Sequence, residues 1–402
     1  MEEPSIKFSL SRRVQSIDLL RGIIMIIMAI DHVRVYSGIP AGGTTVAVFF
    51  TRWITHYCVP VFAFFAGSSA FLFYQKTGNK RTLVNFLLTR GLLLVIFEVT
   101  ICRFLWTFNV DYSNYVATNV IWSLGWSMIL LAAFVRFRPL TVGLVGVSII
   151  FGQQLFQFVP NIFSASLHEP LTRTWSFFYP SEVSNRSGAS IFSGAAGLPK
   201  VMGIGILYYI IPINGIMMAG YGFGQLLLRE AEEVRRVSYR IGAAAIFLFL
   251  TIGSAILLSV PQAQDSIPFI FKLLGQQKYP PSQLYVLMTL GPIILFVPWA
   301  EKAKGWFADA VRIIGRVPMF YYLLHILLIH LSAFVVNLLI YGNIHQDWYT
   351  TAPFVGISEE LRWGLPLLYT VWMIDVVILY FACRRYANFK LKHPELRWIK
   401  YL

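Results

Sequence analysis

The stretch Ile241-Gly-Ala-Ala-Ala-Ile-Phe-Leu-Phe-Leu-Thr-Ile-Gly-Ser-Ala-Ile-Leu-Leu-Ser-Val260 runs for twenty residues without a charge. A helix rises about 1.5 Å per residue, so such a run spans the roughly 30 Å hydrocarbon core of a bilayer. Nine further runs fit the same rule, at 17–36, 57–75, 83–103, 116–135, 139–159, 201–226, 283–300, 312–340 and 363–382. The expected fold is therefore all-α: a polytopic transmembrane helix bundle of about ten spans, forming a single domain over residues 1–402. The ninth run is long and opens on Gly315-Arg316-Val317-Pro318, so it is either tilted or split in two.

Composition agrees. Apolar residues make up 57% of the 402, charged residues only 13%, and the mean hydropathy is +0.64. A soluble domain carries about 25% charged residues. This much apolar surface needs lipid as its solvent.

The net charge of +14 does not indicate nucleic acid, because the basic residues sit in short loops between apolar runs. Of the 33 Lys and Arg, 23 fall on the side of the N-terminus, nine on the other side, and Arg21 lies within the first span. The positive-inside rule puts both termini in the cytoplasm and favours an even number of spans. The polar segment Met1–Gln15 is followed by no small-residue cleavage site, so the first span reads as a retained helix. The longest outer loop, about 160–200, carries Trp175, Phe177, Phe178 and Tyr179 and the sequon Asn185-Arg186-Ser187. It is read as a binding loop or a simple connector. Cys58, Cys102 and Cys383 form no metal or disulfide framework, and buried free thiols are favoured over a Cys58–Cys102 bridge.

Ionisable residues inside a span are costly and are functional candidates. The first span reads Ser16-Ile-Asp18-Leu-Leu-Arg21-Gly22, then an apolar run, then Asp31-His32-Val-Arg34. Arg21 and His32 are eleven residues apart, which returns to almost the same helix face about 16 Å further along the axis. Asp18 can pair with Arg21, and Asp31 with Arg34. The second region, Thr51-Arg52-Trp53-Ile54-Thr55-His56, lies at the same outer end as His32. A third, Phe320-Tyr321-Tyr322-Leu-Leu-His325, buries a histidine that needs a partner, with the hydroxyls of Tyr321 and Tyr322 in reach. His330 is on another face, and Asp375 is a further buried charge. Gly220, Gly222 and Gly224 suit close helix packing. Walker and dinucleotide fingerprints are absent. Each region also has a purely structural reading as an ion pair, an interfacial belt or a packed histidine.

Taken together, these segments resemble a family of polytopic acyltransferases that groups the lysosomal heparan-α-glucosaminide N-acetyltransferase with related bacterial membrane proteins. The resemblance is carried by Ser16–Gly22, Asp31–Arg34, Thr51–His56, Pro60–Gly67, Lys278–Tyr285 and Gly315–His325. The Arg21-to-His32 spacing is also similar to the signature of bacterial polysaccharide O-acetylases. The segment Ile211-Pro-Ile-Asn214-Gly215 departs from the bacterial pattern, which has a tryptophan after the proline.

The resemblance implies acetyl-CoA or another acyl-CoA as cytoplasmic donor, with no metal. It implies a glycan or amino-sugar amine or hydroxyl as acceptor on the far side. His32 and Asp31 would be catalytic, Arg21, Asp18 and Arg316 would serve the cofactor, and Arg52, His56, Tyr322 and His325 would line the substrate site. His32 would act as a base or become acylated itself; the residues leave both routes open. The expected partners are the lipid bilayer, acyl-CoA, the glycan acceptor and, as an option left open, a second copy of the chain in a homodimer. The expected place is a bacterial plasma (inner) membrane. The rival reading is a proton-coupled transporter or permease of a small solute, against which the lack of internal repeats and interrupted half-helices counts.

Overall fold

The computed structural model describes residues 14–42, 45–113, 116–163, 174–180, 200–201, 204–260, 267–396 and 399. The sequon at Asn185 lies outside them.

The chain is a helix bundle. Its helices are α1 (Gln15–Tyr36), α2 (Val46–Trp53), α3 (Cys58–Thr77), α4 (Lys80–Phe97), α5 (Arg103–Thr107), α6 (Val120–Phe134) and α7 (Pro139–Gly152). They continue with α8 (Ile210–Leu226), α9 (Ala231–Ser259), α10 (Phe269–Leu274), α11 (Gln283–Lys302), α12 (Trp306–Arg316), α13 (Pro318–Tyr341) and α14 (Leu365–Lys392). Among the described residues, seven helical units are long and apolar enough to cross a membrane. They include Val46–Thr77, where the 3₁₀ turn Ile54–Tyr57 joins α2 to α3, and Lys80–Thr107, where a π-turn joins α4 to α5. Helix α1 carries four charges, Asp18, Arg21, Asp31 and Arg34, which mark it as the polar centre of the bundle.

Several expected boundaries move. The sixth run begins as a helix only at Ile210, because β3 (Ile204–Ile206) precedes it. β3 pairs in parallel with β1 (Ala117–Thr118) and antiparallel with β2 (Lys200–Val201). The fourth run likewise becomes a helix at Val120. The ninth is split: Pro318 takes the first position of α13, where its missing N–H is harmless, and α12 lies before it.

Helices α1, α3, α8 and α11 are largely buried, while α4, α9 and α14 turn most of their surface outward. Helix α8 packs on α3, α6 and α7; α9 packs on α11; α1 packs on α11, α12, α13 and α14. The expectation for the α8 glycines holds. A methyl at Gly220 would collide with the carbonyl of Phe64, and one at Gly67 with that of Met217. Ser68 Oγ then donates to the Gly220 carbonyl across 2.8 Å. Gly315 of α12 similarly meets the backbone of Asp18, which brings the last turn of α12 against the first of α1.

Helix ends buried in the bundle are satisfied by carboxylates. Glu301 of α11 accepts the Ser16 N–H of α1 at 2.7 Å. Glu98, fully buried in the π-turn, accepts the N–H groups of Asn119 and Trp122 at the start of α6, both at 3.2 Å. A helix N-terminus holds unpaired N–H groups and partial positive charge, so a carboxylate there is stabilising. The three cysteines are free and buried.

Candidate active site

One cavity of about 980 Å³ runs beside α1. Its wall contains Arg21 near the start of that helix and His32, Asp31 and Arg34 near its end, so it follows the stripe that the eleven-residue spacing defines. Between them the wall is largely apolar, with Met25, Met28, Val59, Phe62 and Ala66.

At the N-terminal end of α1 the wall carries Arg21, Arg90, Arg316 and Lys390. Arg21 Nη2 donates to Ser69 Oγ at 2.9 Å and to the Phe65 carbonyl at 3.3 Å, which fixes its guanidinium on α3. Arg90 lies over Phe86, whose ring stacks on Phe73 of α3. Asp18 has Arg316 at 3.7 Å and does not itself line the cavity. Folding brings Arg316 in from α12 as a neighbour of Asp18.

At the other end the wall carries Asp31, His32, Arg34, Arg52, Lys278 and Arg362. Asp31 Oδ1 accepts from Arg34 Nε at 2.9 Å, as expected, and Oδ2 faces Lys278 Nζ at 3.7 Å. Arg34 also donates to the Ile39 carbonyl, and Arg52 to that of Ala41, each at 2.7 Å. These bonds fold the chain after α1 back over the cavity mouth.

His32 Nδ1 lies 2.7 Å from His325 Nε2, and His325 Nδ1 lies 3.1 Å from the Tyr321 carbonyl. A carbonyl oxygen can only accept, so His325 Nδ1 carries a proton. With His325 neutral, its Nε2 is an acceptor and His32 Nδ1 must donate to it. The remaining nitrogen, His32 Nε2, then carries a lone pair. No protein hydrogen bond to it occurs among the described residues, and the His32 ring lines the cavity. Trp106 abuts this ring edge-on, with centroids 4.7 Å apart. The partner expected for His325 was a tyrosine hydroxyl; the observed partners are a backbone carbonyl and the other histidine. Asp31, adjacent in sequence to His32, serves Arg34 and Lys278 rather than the His32–His325 bond.

Tyr322 reaches the cavity wall, and its ring is tilted against His325 at 5.3 Å. His325 sits behind His32, fully buried, and His56 is not part of the wall. His56 Nδ1 donates to the Trp53 carbonyl at 3.1 Å, and its own carbonyl accepts from Tyr285 Oη at 2.5 Å. It ties α11 to the 3₁₀ turn. His330 is bonded to the Leu105 carbonyl at 3.0 Å, and Asp375 accepts from Ser332 at 2.8 Å. Among the described residues no three His, Cys, Asp or Glu side chains cluster as metal ligands.

Sequence reasoning did not single out Lys278, Arg90, Lys390 or Arg362 as site residues. For Lys278 and Arg362 the signal was present: both are cations on the side where basic residues are scarce.

The multi-helix bundle, with a cavity that carries cations at each end and a histidine in its wall, defines an integral multi-pass membrane protein with an internal cavity. The family model described as heparan-alpha-glucosaminide N-acetyltransferase, catalytic, matches residues 13–259. The chain belongs to that family and is a membrane acetyltransferase of this type. No curated protein matches it. The matched segment holds Arg21, Asp31, His32 and Arg52, whereas Lys278, Arg316 and His325 come from beyond it.

Proposed function

We propose that the chain moves an acetyl group from cytoplasmic acetyl-CoA to an amine or hydroxyl of a sugar on the opposite side of the membrane. The observation that carries this reading is a continuous cavity whose wall runs from the Arg21 end to the Lys278 end past His32. Coenzyme A is a polyanion and cannot cross lipid. Four cations at the Arg21 end suit its phosphates. The apolar middle suits the thin pantetheine arm, and the roughly 16 Å between the levels of Arg21 and His32 matches about half a bilayer.

His32 Nε2 takes the proton from the acceptor nitrogen or oxygen as it attacks the thioester carbonyl. The N–C or O–C bond forms, the C–S bond breaks, and the proton returns from His32 to the departing thiolate of CoA. His325 holds the tautomer that leaves Nε2 free, and Asp31, Arg34 and Arg52 shape the mouth through which the acceptor arrives. Asp18 and Arg316 support the donor end beside Arg21. Tyr322 and Trp106 pack the histidine pair.

Purified protein incubated with labelled acetyl-CoA and an amino sugar tests the assignment. Release of free CoA with labelling of the sugar is expected. No thioester consumption, together with uptake of a small solute into liposomes, would instead mark a permease.

A further inference from the structure

We infer that the outer end of the cavity contains an oxyanion-binding subsite centred on Lys278, which takes a carboxylate or phosphate carried by the acceptor sugar. The word acceptor rests on the acyl-transfer reading above; the subsite itself rests on charge and hydrogen-bond geometry.

The Lys278 side chain is only 6% exposed and lines the cavity. An ammonium has three protons to donate. Among the described residues its Nζ makes no hydrogen bond to the protein. Its charged neighbour, Asp31 Oδ2, is at 3.7 Å, beyond hydrogen-bond range, and the centroid of the Tyr279 ring is at 5.4 Å. A buried cation left with unfilled donors is expensive, by several kcal/mol, unless something fills them.

Neutralising Asp31 does not explain Lys278, because Arg34 already does so with a 2.9 Å bond to Oδ1. The imbalance extends around the mouth. The wall there holds the cations Arg34, Arg52, Lys278 and Arg362 against the single carboxylate of Asp31. Arg34 and Arg52 spend donors on the Ile39 and Ala41 carbonyls and so are held as scaffold. Arg362 Nε is buried with no hydrogen-bond partner, and its Nη1 has only the exposed Glu359 carboxylate at 3.6 Å. Lys278 and Arg362 thus leave donors for a ligand, and the Asp31 contact places Lys278 beside the residue that precedes His32. A negative group seated on Lys278 would put the rest of the same sugar near the free His32 nitrogen. The CoA phosphates have their own cations at the other end, roughly 16 Å away along α1.

The test is equilibrium binding in nanodiscs without donor, read by tryptophan fluorescence, using glucose, glucuronate and glucose 6-phosphate as probes. Glucuronate, glucose 6-phosphate or both should bind at least tenfold tighter than glucose, and added salt should erode the advantage. The pattern identifies the group: a preference for glucuronate alone means a carboxylate, for the phosphate alone a phosphate, and for both a general oxyanion site. Lys278→Met should abolish the preference and Lys278→Arg should keep it. Arg362→Gln, at the rim, should weaken it severalfold and serves if Lys278→Met does not fold. Equal binding of glucose and the anions, failure of both anions to bind, or a preference that survives Lys278→Met overturns the subsite. So does competition of CoA with glucuronate accompanied by loss of CoA affinity in Lys278→Met, which would assign Lys278 to the donor. The thioester assay is run separately, so failure of acyl transfer would be seen on its own.

Discussion

The two ends of the cavity are both cationic, yet they are built differently. The Arg21 end draws Arg21, Arg90, Arg316 and Lys390 from four helices, α1, α4, α12 and α14, and its wall includes no carboxylate. Arg316 there is 42% exposed. The Lys278 end is assembled from helix ends and loops, and two of its cations, Arg34 and Arg52, are tied down by Asp31 and by the carbonyls of Ile39 and Ala41. On the proposed reading, the first arrangement would offer charge density to a long polyanion that approaches from water, and the second a shaped, desolvated mouth for a small acceptor. The histidine pair stands near the second.

Substitutions should sort by which end they touch. The largest effect is expected at the histidine pair beside the Lys278 end. His32→Ala should lower acetyl transfer by about 10²–10⁴, the usual loss for a general base, while acetyl-CoA still binds. Turnover within threefold of the parent in a folded His32→Ala protein would remove His32 from the chemistry.

Next comes the tautomer. His325→Leu should lower turnover by about 10²-fold, less than the roughly 10⁴ recorded when a serine-protease histidine is forced into the wrong tautomer. His325→Gln should recover most of it, because an amide oxygen can accept from His32 Nδ1. A purely packing role for His325 would show as a lowered melting temperature with Leu and Gln equally active.

At the Arg21 end, Arg21→Gln or Arg316→Gln should raise the dissociation constant for acetyl-CoA about tenfold, near 1.4 kcal/mol, with the loss shrinking in high salt. The acceptor KM should stay put. If donor affinity is unchanged in folded Arg21→Gln, its bonds to Ser69 and Phe65 are structural and the contrast between the ends fails. The smallest effect is expected at His56. His56→Ala should leave turnover within about threefold and mainly lower the melting temperature, since its ring bonds a backbone carbonyl outside the cavity and a lost neutral hydrogen bond costs about 1 kcal/mol.

What could be read from the chain beforehand follows from range. The Arg21–His32 stripe was legible because both residues sit on one helix, where the period alone decides which residues share a face. The Asp31–Arg34 pair was legible for the same reason, whereas the break at Pro318 was one of two readings the sequence left open. The His32–His325 bond was not, because 293 residues separate its partners and only tertiary packing of α13 on α1 joins them. The sequence offered His325 nearby hydroxyls from Tyr321 and Tyr322. In the folded helix its ring instead bonds the carbonyl four residues back. His56 was misleading in the opposite sense: it shares an end of the molecule with His32 but turns away from the cavity. Lys278 was counted as a topological charge, and its burial beside Asp31 brings it into the cavity wall.

The two-ended cavity is tested most directly in proteoliposomes oriented with the Arg21 end outward. Labelled acetyl-CoA is supplied outside and an amino sugar is trapped within. Acetylated sugar should appear in the lumen while acetyl-CoA remains outside, and His32→Ala vesicles should show almost none. Labelled acetyl-CoA inside the vesicles, or product formed only when donor and sugar share one side, would contradict transfer through the cavity.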